Sequence, residues 1–482
     1  MTFLLGLLGL VLGAAAALLL STSFEARPRV PAAFCLGVSL LAFMFFALSY
    51  DSAGTLLGMI RLGGLSALGG MTLALIAALV ILGVLADPDK YRAGPSEFYA
   101  FVLTTALGGI LMIAANNLLL LYVGIELSSY STYILVGYYR DHAHSTEAAS
   151  KYFVLGALAS ALLLYGFSFI FGATGGIYYD EIRAALSAPA GAPALLWPGL
   201  ALLLAGFGFK LALVPFHAWT PDAYQGAPTM VAALLSVGPK AGAVIALGSL
   251  LAQVAGSAVV AGVLQHALVW LAALTMTVGN LQALRQRNLK RLLGYSSVAQ
   301  LGTIIVGLAA GSDQGLVAVI FYAVAYALTN IGAFTSLAVL RDAGLPEELT
   351  AYRGLGRRVP QAALAFTIFL LSLAGVPLLA GFAGKLFVFE SAVGAGLLLL
   401  ALVAVLNTVL AYAYYFRIII AMWLAEPEGD ETLLSVGPVG MTALALGALG
   451  VLLLGTFPAP TLQLITDALE PVRSVIASSP FR

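Results

Sequence analysis

The sequence predicts an all-α integral membrane protein of about fourteen transmembrane helices, built around two inverted five-helix repeats, with the seventh and twelfth helices broken. Three observations carry this reading. The chain has 482 residues, 61% hydrophobic and 9% charged, and a mean hydropathy of +1.02, which no soluble domain sustains. Its apolar residues fall in stretches of roughly twenty, the length a helix needs to cross a bilayer. Two stretches are interrupted by proline or glycine, and isolated lysines stand inside the apolar runs.

Composition also excludes classes of function. Twenty-two basic residues balance twenty-two acidic ones, so there is no electrostatic footprint for nucleic acid. Cys35 is the single cysteine and lies in an apolar segment, which rules out internal disulfides and cysteine-ligated iron–sulfur centres. Of the four histidines, His142 and His144 share a polar loop, leaving His217 and His266 near or in the membrane. No paired axial histidines for a haem emerge, so no cofactor is expected in this chain. The opening "MTFLLGLLGLVLGAAAALLL" lacks the positive region of a signal peptide and reads as a retained first helix.

In order, the spans fall near 2–20, 31–49, 64–86, 97–115, 117–138, 147–172, 195–215, 229–252, 257–282, 291–310, 314–340, 361–392, 395–423 and 437–457. The segments between them are short and polar, leaving no room for an extramembrane domain. The expected organisation is a three-helix segment over 1–96, a first repeat over 97–252, a second, inverted repeat over 253–423, and the fourteenth helix with its tail over 424–482.

Orientation follows from the basic residues of the loops, which concentrate on the cytoplasmic side. Loops after spans 1, 3, 5, 9, 11 and 13 hold Arg27, Arg29, Lys90, Arg92, Arg140, Lys151, Arg285, Arg287, Lys290, Arg291, Arg341, Arg353, Arg357, Arg358 and Arg417. The other side holds Arg61, Arg183, Arg473 and Arg482. The odd loops therefore face the cytoplasm, and both termini lie outside it.

Spans 7 and 12 depart from simple helix. "KLALVPFHAWTPDAYQGAPT" carries Pro215, Pro221 and Pro228, and "LAGVPLLAGFAGKLFVFE" carries Gly375, Pro377, Gly381 and Gly384 just before Lys385. Proline removes a backbone donor and clashes with the preceding turn, so each helix should split into halves. Interrupted helices in matching positions point to an ion site in transporters with inverted repeats. Lys210 and Lys385 are 175 residues apart, and Glu126 and Gln300 are 174 apart. Spans 4–8 and 9–13 then form two units of odd span number, which insert with opposite topology. Aligning "ILVG" (134–137) with "IIVG" (304–307) gives an offset of 170 instead, so the helices pair more surely than the residues.

Lys210, Lys240 and Lys385 are the candidate chemistry, with Glu126 as the buried acid among them. A charge at mid-bilayer costs roughly 3 kcal/mol on insertion scales, and such groups face partners or water. Lys210 and Lys240 are too far from span ends to snorkel. A structural ion pair with Glu126 is the bland alternative. The functional reading is that burial makes the ammonium costly, so that the amine both takes and releases a proton. Movement of Glu126 relative to the lysines would switch that affinity, and the three are expected in one hydrated cluster. Lys151, placed about one turn into span 6, is either a relay member or a plain positive-inside residue. His217, at the first break, has the imidazole chemistry of a relay, although a satisfied structural role is the commoner fate; His266 reads as structural. Thr220 and Asp222 read as turn and cap chemistry.

The stretch "FKLALVPFHAWTPDAYQGAPT" followed by "SVGPKAGA" is similar to the signature of the antiporter-like subunits of respiratory complex I and of Mrp-type sodium/proton antiporters. "STEAASKYFVLGALASALLLYGFSFIFGATGG", "LKRLLGYSSVAQLG" and "LLSLAGVPLLAGFAGKLFVFESA" extend the resemblance over nearly the whole chain. The "PDAYQGAPT" form favours the N-type subunit, equivalent to mitochondrial subunit ND-two. This resemblance implies a proton-translocating membrane-arm subunit of an NADH:quinone oxidoreductase in a bacterial inner membrane. Other membrane subunits, further antiporter-like ones included, would be its partners, with flavin and iron–sulfur clusters carried by other chains. It implies that Glu126, Lys210, Lys240 and Lys385 form the relay, with Lys385 opening to the far side. Gln300 is a departure, since many bacterial N subunits have histidine there and the photosynthetic relatives carry glutamine. Glutamine does not titrate, so a relay through span 10 would use water or the amide as a bridge. An Mrp-like cation/proton antiporter is the alternative function.

Overall fold

The computed structural model describes residues 1–20, 29–86, 95–187, 193–254, 258–427 and 434–470. Arg27, Lys90, Arg92, Arg473 and Arg482, used above for orientation, lie outside the described residues. The helices are α1 (Thr2–Leu20), α2 (Arg29–Ala47), α3 (Gly64–Val84), α4 (Pro95–Ala114), α5 (Leu118–Val136), α6 (Ala143–Thr174) and α7 (Tyr179–Leu186). They continue as α8 (Leu196–Lys210), α9 (Trp219–Gly226), α10 (Thr229–Val254), α11 (Ala258–Leu284), α12 (Leu289–Ala309) and α13 (Asp313–Asp342). After a short turn of helix at Leu349–Tyr352 come α14 (Leu355–Arg358), α15 (Pro360–Ala374), α16 (Ala380–Gly394), α17 (Leu398–Trp423), α18 (Pro438–Thr456) and α19 (Ala459–Ala468).

Twelve of these helices are long and apolar enough to cross a membrane. α8 and α15 are apolar too but have 15 residues each. At 1.5 Å per residue that is roughly 22 Å, short of a bilayer's hydrocarbon. They are the first halves of the two divided segments, with breaks at residues 211–218 and 375–379, around Pro215 and after Gly375 as the sequence predicts. The second break needs its glycines. Gly375 sits at φ 91, in the left-handed region, and a Cβ on Gly381 would lie 1.9 Å from Ser372 O.

α10, α12 and α13 form the centre: the spanning windows of α10, α12 and α13 are 100%, 94% and 89% buried. Most of their residues are apolar or small, as suits interior membrane helices, with Lys240, Lys290, Gln300 and Asn330 as buried polar exceptions. α1, α2, α6, α11, α17 and α18 are buried over no more than 39% of theirs and form the rim. Polar caps fix helix starts: the Asn117, Asn288 and Ser312 side chains accept from the backbone of Leu120, Arg291 and Gly315.

Loop contacts sort by side. Ile60 pairs with Ala115 and Asn117 with Tyr178, while Arg61 donates to Ser249 Oγ at 2.8 Å, joining the ends of α2, α4, α6 and α10. At the other end, Asn288 pairs with Glu348, Arg291 meets Asp222 and Arg417 donates to Leu284 O. Among the described residues, five small elements have no counterpart in the sequence reading: a hairpin of Thr55–Leu56 with Ile60–Arg61, α7, the helical turn at Leu349–Tyr352, α14 and α19. Each is too short to register in a twenty-residue window.

Candidate functional site: a buried lysine relay

α8 ends on Lys210 because Ala212 takes a positive φ of 56 and Pro215 follows. The ammonium is buried and donates to Ser129 Oγ on α5 at 2.7 Å. Ser129 in turn donates to Ile125 O. Glu126 is half-buried one turn earlier on α5, on the same face at spacing i, i+3. Its Oε1 is shut from solvent and meets no hydrogen-bond donor. Glu126 and Lys210 are therefore neighbours whose link runs through the Ser129 turn.

Lys240 has a different hydroxyl partner. Its ammonium, 1% exposed, donates to Ser297 Oγ on α12 at 2.8 Å. The charge also faces two rings of α9, 5.4 Å from the Tyr224 centroid and 5.9 Å from that of Trp219, a distance at which ring quadrupoles attract a cation. Tyr224 OH lies 3.3 Å from the same Ser297 Oγ. Trp219 also belongs to an aromatic layer. Tyr152 stacks on Trp219 at 4.4 Å, Tyr152 OH is 3.3 Å from Thr132, and Trp219 Nε1 donates to Phe209 O. Lys240 thus shares no described hydrogen-bond partner with Glu126 and Lys210, and Trp219 of α9 packs near both sites, beside Lys240 and against Phe209 next to Lys210.

Lys385 lies in the second half-helix, α16, and turns back on the first. Its ammonium donates to Leu373 O at 2.8 Å and Ala374 O at 3.0 Å, carbonyls left without helical partners where α15 ends. Gln300 shares that end. Its Nε2 donates to Leu373 O at 2.9 Å and to Tyr415 OH at 3.2 Å, and its Oε1 accepts from Tyr322 OH. Tyr415 OH also sits 2.5 Å from Ser296 Oγ, beside the Ser297 that holds Lys240. A polar chain therefore runs from Lys385 through Leu373 O, Gln300, Tyr415 and Ser296 to the edge of the Lys240 cluster. A carbonyl cannot carry a proton and an amide does not titrate, so the chain fixes geometry, and protons crossing it need water or hydroxyls.

At the odd-loop end the structure corrects three readings. α6 begins at Ala143, so Lys151 lies two turns in, half exposed, paired with Glu147 at 2.7 Å and Asp222 at 3.5 Å. Asp222 is no cap: it sits inside α9 and binds Arg291 at 2.6 Å. Thr220 is fully buried with an unpartnered hydroxyl, so it caps nothing. His144, Glu147, Lys151, Asp222, Gln225 and Arg291 line a polar cavity of about 270 Å³. His217 is half-buried in the first break, and His266 Nδ1 lies 2.7 Å from Gly262 O within its own helix.

Two functional candidates escaped the sequence. Lys290 is buried and holds Glu347 at 3.0 Å and Ala227 O at 3.0 Å, and Glu347 also meets Arg341 at 3.4 Å. Both look like loop charges in a linear reading. The available signal was the Asn288 cap, which places Lys290 already inside the helix.

Residues 115–411 match the NADH:quinone oxidoreductase/Mrp antiporter transmembrane family. The chain is 43% identical over 420 residues to NADH-quinone oxidoreductase subunit N 2 of Symbiobacterium thermophilum, covering 84% of this chain and 82% of that one. It is 38% identical over 469 residues to subunit N of Desulforamulus reducens, covering 97% and 96%. Among solved structures, a chain of respiratory complex I from Thermus thermophilus superposes with a TM-score of 0.81 at 34% identity, covering 95% of this chain and 98% of that one. The chain therefore belongs to the NADH:quinone oxidoreductase/Mrp antiporter transmembrane family, among its subunit N members.

Proposed function

We propose that this chain is a proton-translocating membrane-arm subunit of a complex I-type NADH:quinone oxidoreductase, and that Glu126, Lys210, Lys240 and Lys385 pass the protons. The observation that carries it is the set of three buried ammonium groups, each on hydroxyls or carbonyls and none within 4 Å of a carboxylate among the described ion pairs. A structural lysine in a membrane interior is neutralised by a close acid. A lysine held by neutral acceptors exchanges its proton at lower cost.

In this reading protons are taken up at the odd-loop end, where the cavity around Asp222 and Lys151 opens, and His217 lies on the way in. They reach Lys240, pass the Gln300 bridge and leave past Lys385. Redox chemistry belongs to other subunits, with no cofactor in this chain. The odd loops face the cytoplasm of a bacterial inner membrane, both termini lie outside, and other antiporter-like subunits flank the chain. The regions 97–252 and 253–423 act as inverted repeats, each with one divided helix, α8/α9 and α15/α16. The test is purification of the native complex, identification of its other chains, and measurement of proton uptake against NADH-driven quinone reduction in vesicles. A chain that isolates alone and exchanges sodium for protons would overturn the reading in favour of an antiporter.

A further inference from the structure

We infer that Asn330 is a positioning residue of this relay, whose side-chain amide holds a water molecule beside Lys240 where α13 faces α9 and α10. The inference rests on the relay reading above.

Asn330 is fully buried at mid-length in α13. Neither its Nδ2 nor its Oδ1 meets a hydrogen-bond partner, although buried amides are nearly always satisfied by protein or ordered water. The residues one helical turn to either side show which way this face looks, since positions four apart lie above one another. Tyr326, four residues before, lines with Lys240 a cavity of about 10 Å³, close to the space that one water needs. Phe334, four residues after, packs edge-on against Tyr224 at 5.9 Å, the ring nearest the Lys240 ammonium. Thr329, next door, turns the other way and bonds Ser372 of α15 at 3.0 Å. Asn330 is thus bracketed by two residues that reach the Lys240 surroundings.

The contrast with Gln300 gives the role. Gln300 spends its donor and acceptor capacity on Leu373 O, Tyr415 and Tyr322, and so fixes protein geometry. Asn330 offers a donor and an acceptor with no protein group to take them. A group that donates and accepts but does not titrate can orient a water without competing for its proton. Such a water gives Lys240 a proton-passing neighbour besides the Ser297 hydroxyl, independent of the Ser296–Gln300 chain, whose amide and carbonyl members cannot carry a proton.

The test uses the complete native complex. A cryo-EM map that resolves ordered water should show density within hydrogen-bond reach of Asn330 Nδ2 or Oδ1, and a dry site there would overturn the inference. Asn330→Leu, similar in size but apolar, should slow proton translocation and quinone reduction together by about tenfold, within the roughly hundredfold loss that a misplaced group can cause. Asn330→Ser keeps a donor and acceptor and leaves room for a second water, and should retain most of the rate. Wild-type pumping by Asn330→Leu would also overturn it. Lys240→Met, measured alongside, separates the two readings. If it pumps normally, the relay reading fails; if it is inactive while Asn330→Leu pumps, this inference alone fails. Should Asn330→Leu not assemble, the map of the unmodified complex still decides.

Discussion

At the first break the chain leaves α8 on Lys210, whose ammonium reaches across to Ser129 of α5 with Glu126 one turn away. At the second the chain leaves α15 on Ala374, and Lys385 reaches back from α16 to Leu373 O and Ala374 O. One lysine precedes its break and the other follows it. The consequence is electrostatic. The end of α15 presents unpaired carbonyls carrying the negative pole of the helix, which hold a cation with no acid at all. Lys210 has a single hydroxyl, and its nearest acid belongs to another helix. The second site is thus contained in its own segment, whereas the first answers to wherever α5 stands.

The largest effect should come from the self-contained site. Lys385→Met removes the donor to Ala374 O at a buried helix end, leaves Leu373 O to Gln300 alone, and removes the titratable group. Proton translocation and NADH-driven quinone reduction should fall together, by more than about tenfold, because the interaction with a charged group contributes more than a neutral hydrogen bond. Lys385→Arg keeps the donors and should keep part of the rate. Reconstituted complex carrying Lys385→Met that pumps at the wild-type proton-to-electron ratio would show that protons leave elsewhere. Gln300→Leu comes next. It breaks three hydrogen bonds of roughly 1 kcal/mol each and so should lower thermal stability as well as rate. Gln300→His should recover the rate, and unchanged turnover in Gln300→Leu would mean that the two lysine clusters work without this bridge.

Much of this was legible in sequence because membranes simplify the code. Length and apolarity place the helices, and Pro215 and Gly375 mark the breaks since backbone chemistry acts locally. Lys210, Lys240 and Lys385 stand out because an apolar run makes any charge conspicuous. What stayed hidden depends on which helices touch. Ser129, Ser297 and Tyr415 are ordinary residues in a linear reading and become partners only through packing. Lys290 and Glu347, 57 positions apart in the chain, form a buried pair that the loop composition presents as scattered surface charge. That Lys210 donates to Ser129 of α5 and Lys240 to Ser297 of α12 follows from helix packing, which no residue spacing encodes.

Glu126→Gln should have a smaller effect than either change above, a few-fold in pumping, because no direct ion pair is lost. Its diagnostic value lies in the comparison. If the first site answers to α5, Ser129→Ala should mimic Glu126→Gln, and the double variant should be less than additive, as for residues sharing one interaction. Full additivity of the two rates would separate Glu126 from Lys210 and leave the acid to a neighbouring subunit.

Lys151→Ala should do least. The side chain is half exposed and shares Asp222 with Arg291, which stands closer at 2.6 Å against 3.5 Å. Exposed pairs of this kind are screened by salt and often contribute nothing measurable. Turnover should stay within about a factor of two of wild type, with any loss largest at low ionic strength, where screening is weakest. Arg291→Ala is the sharper partner experiment, because it removes the shorter contact and leaves Asp222 to Lys151 alone. If proton uptake instead collapses in Lys151→Ala at every salt concentration while Arg291→Ala is mild, then Lys151 belongs to the relay. The first lysine site would then begin at the cavity mouth, and the contrast between an α5-coupled site and a self-contained one would have to be redrawn around three positions.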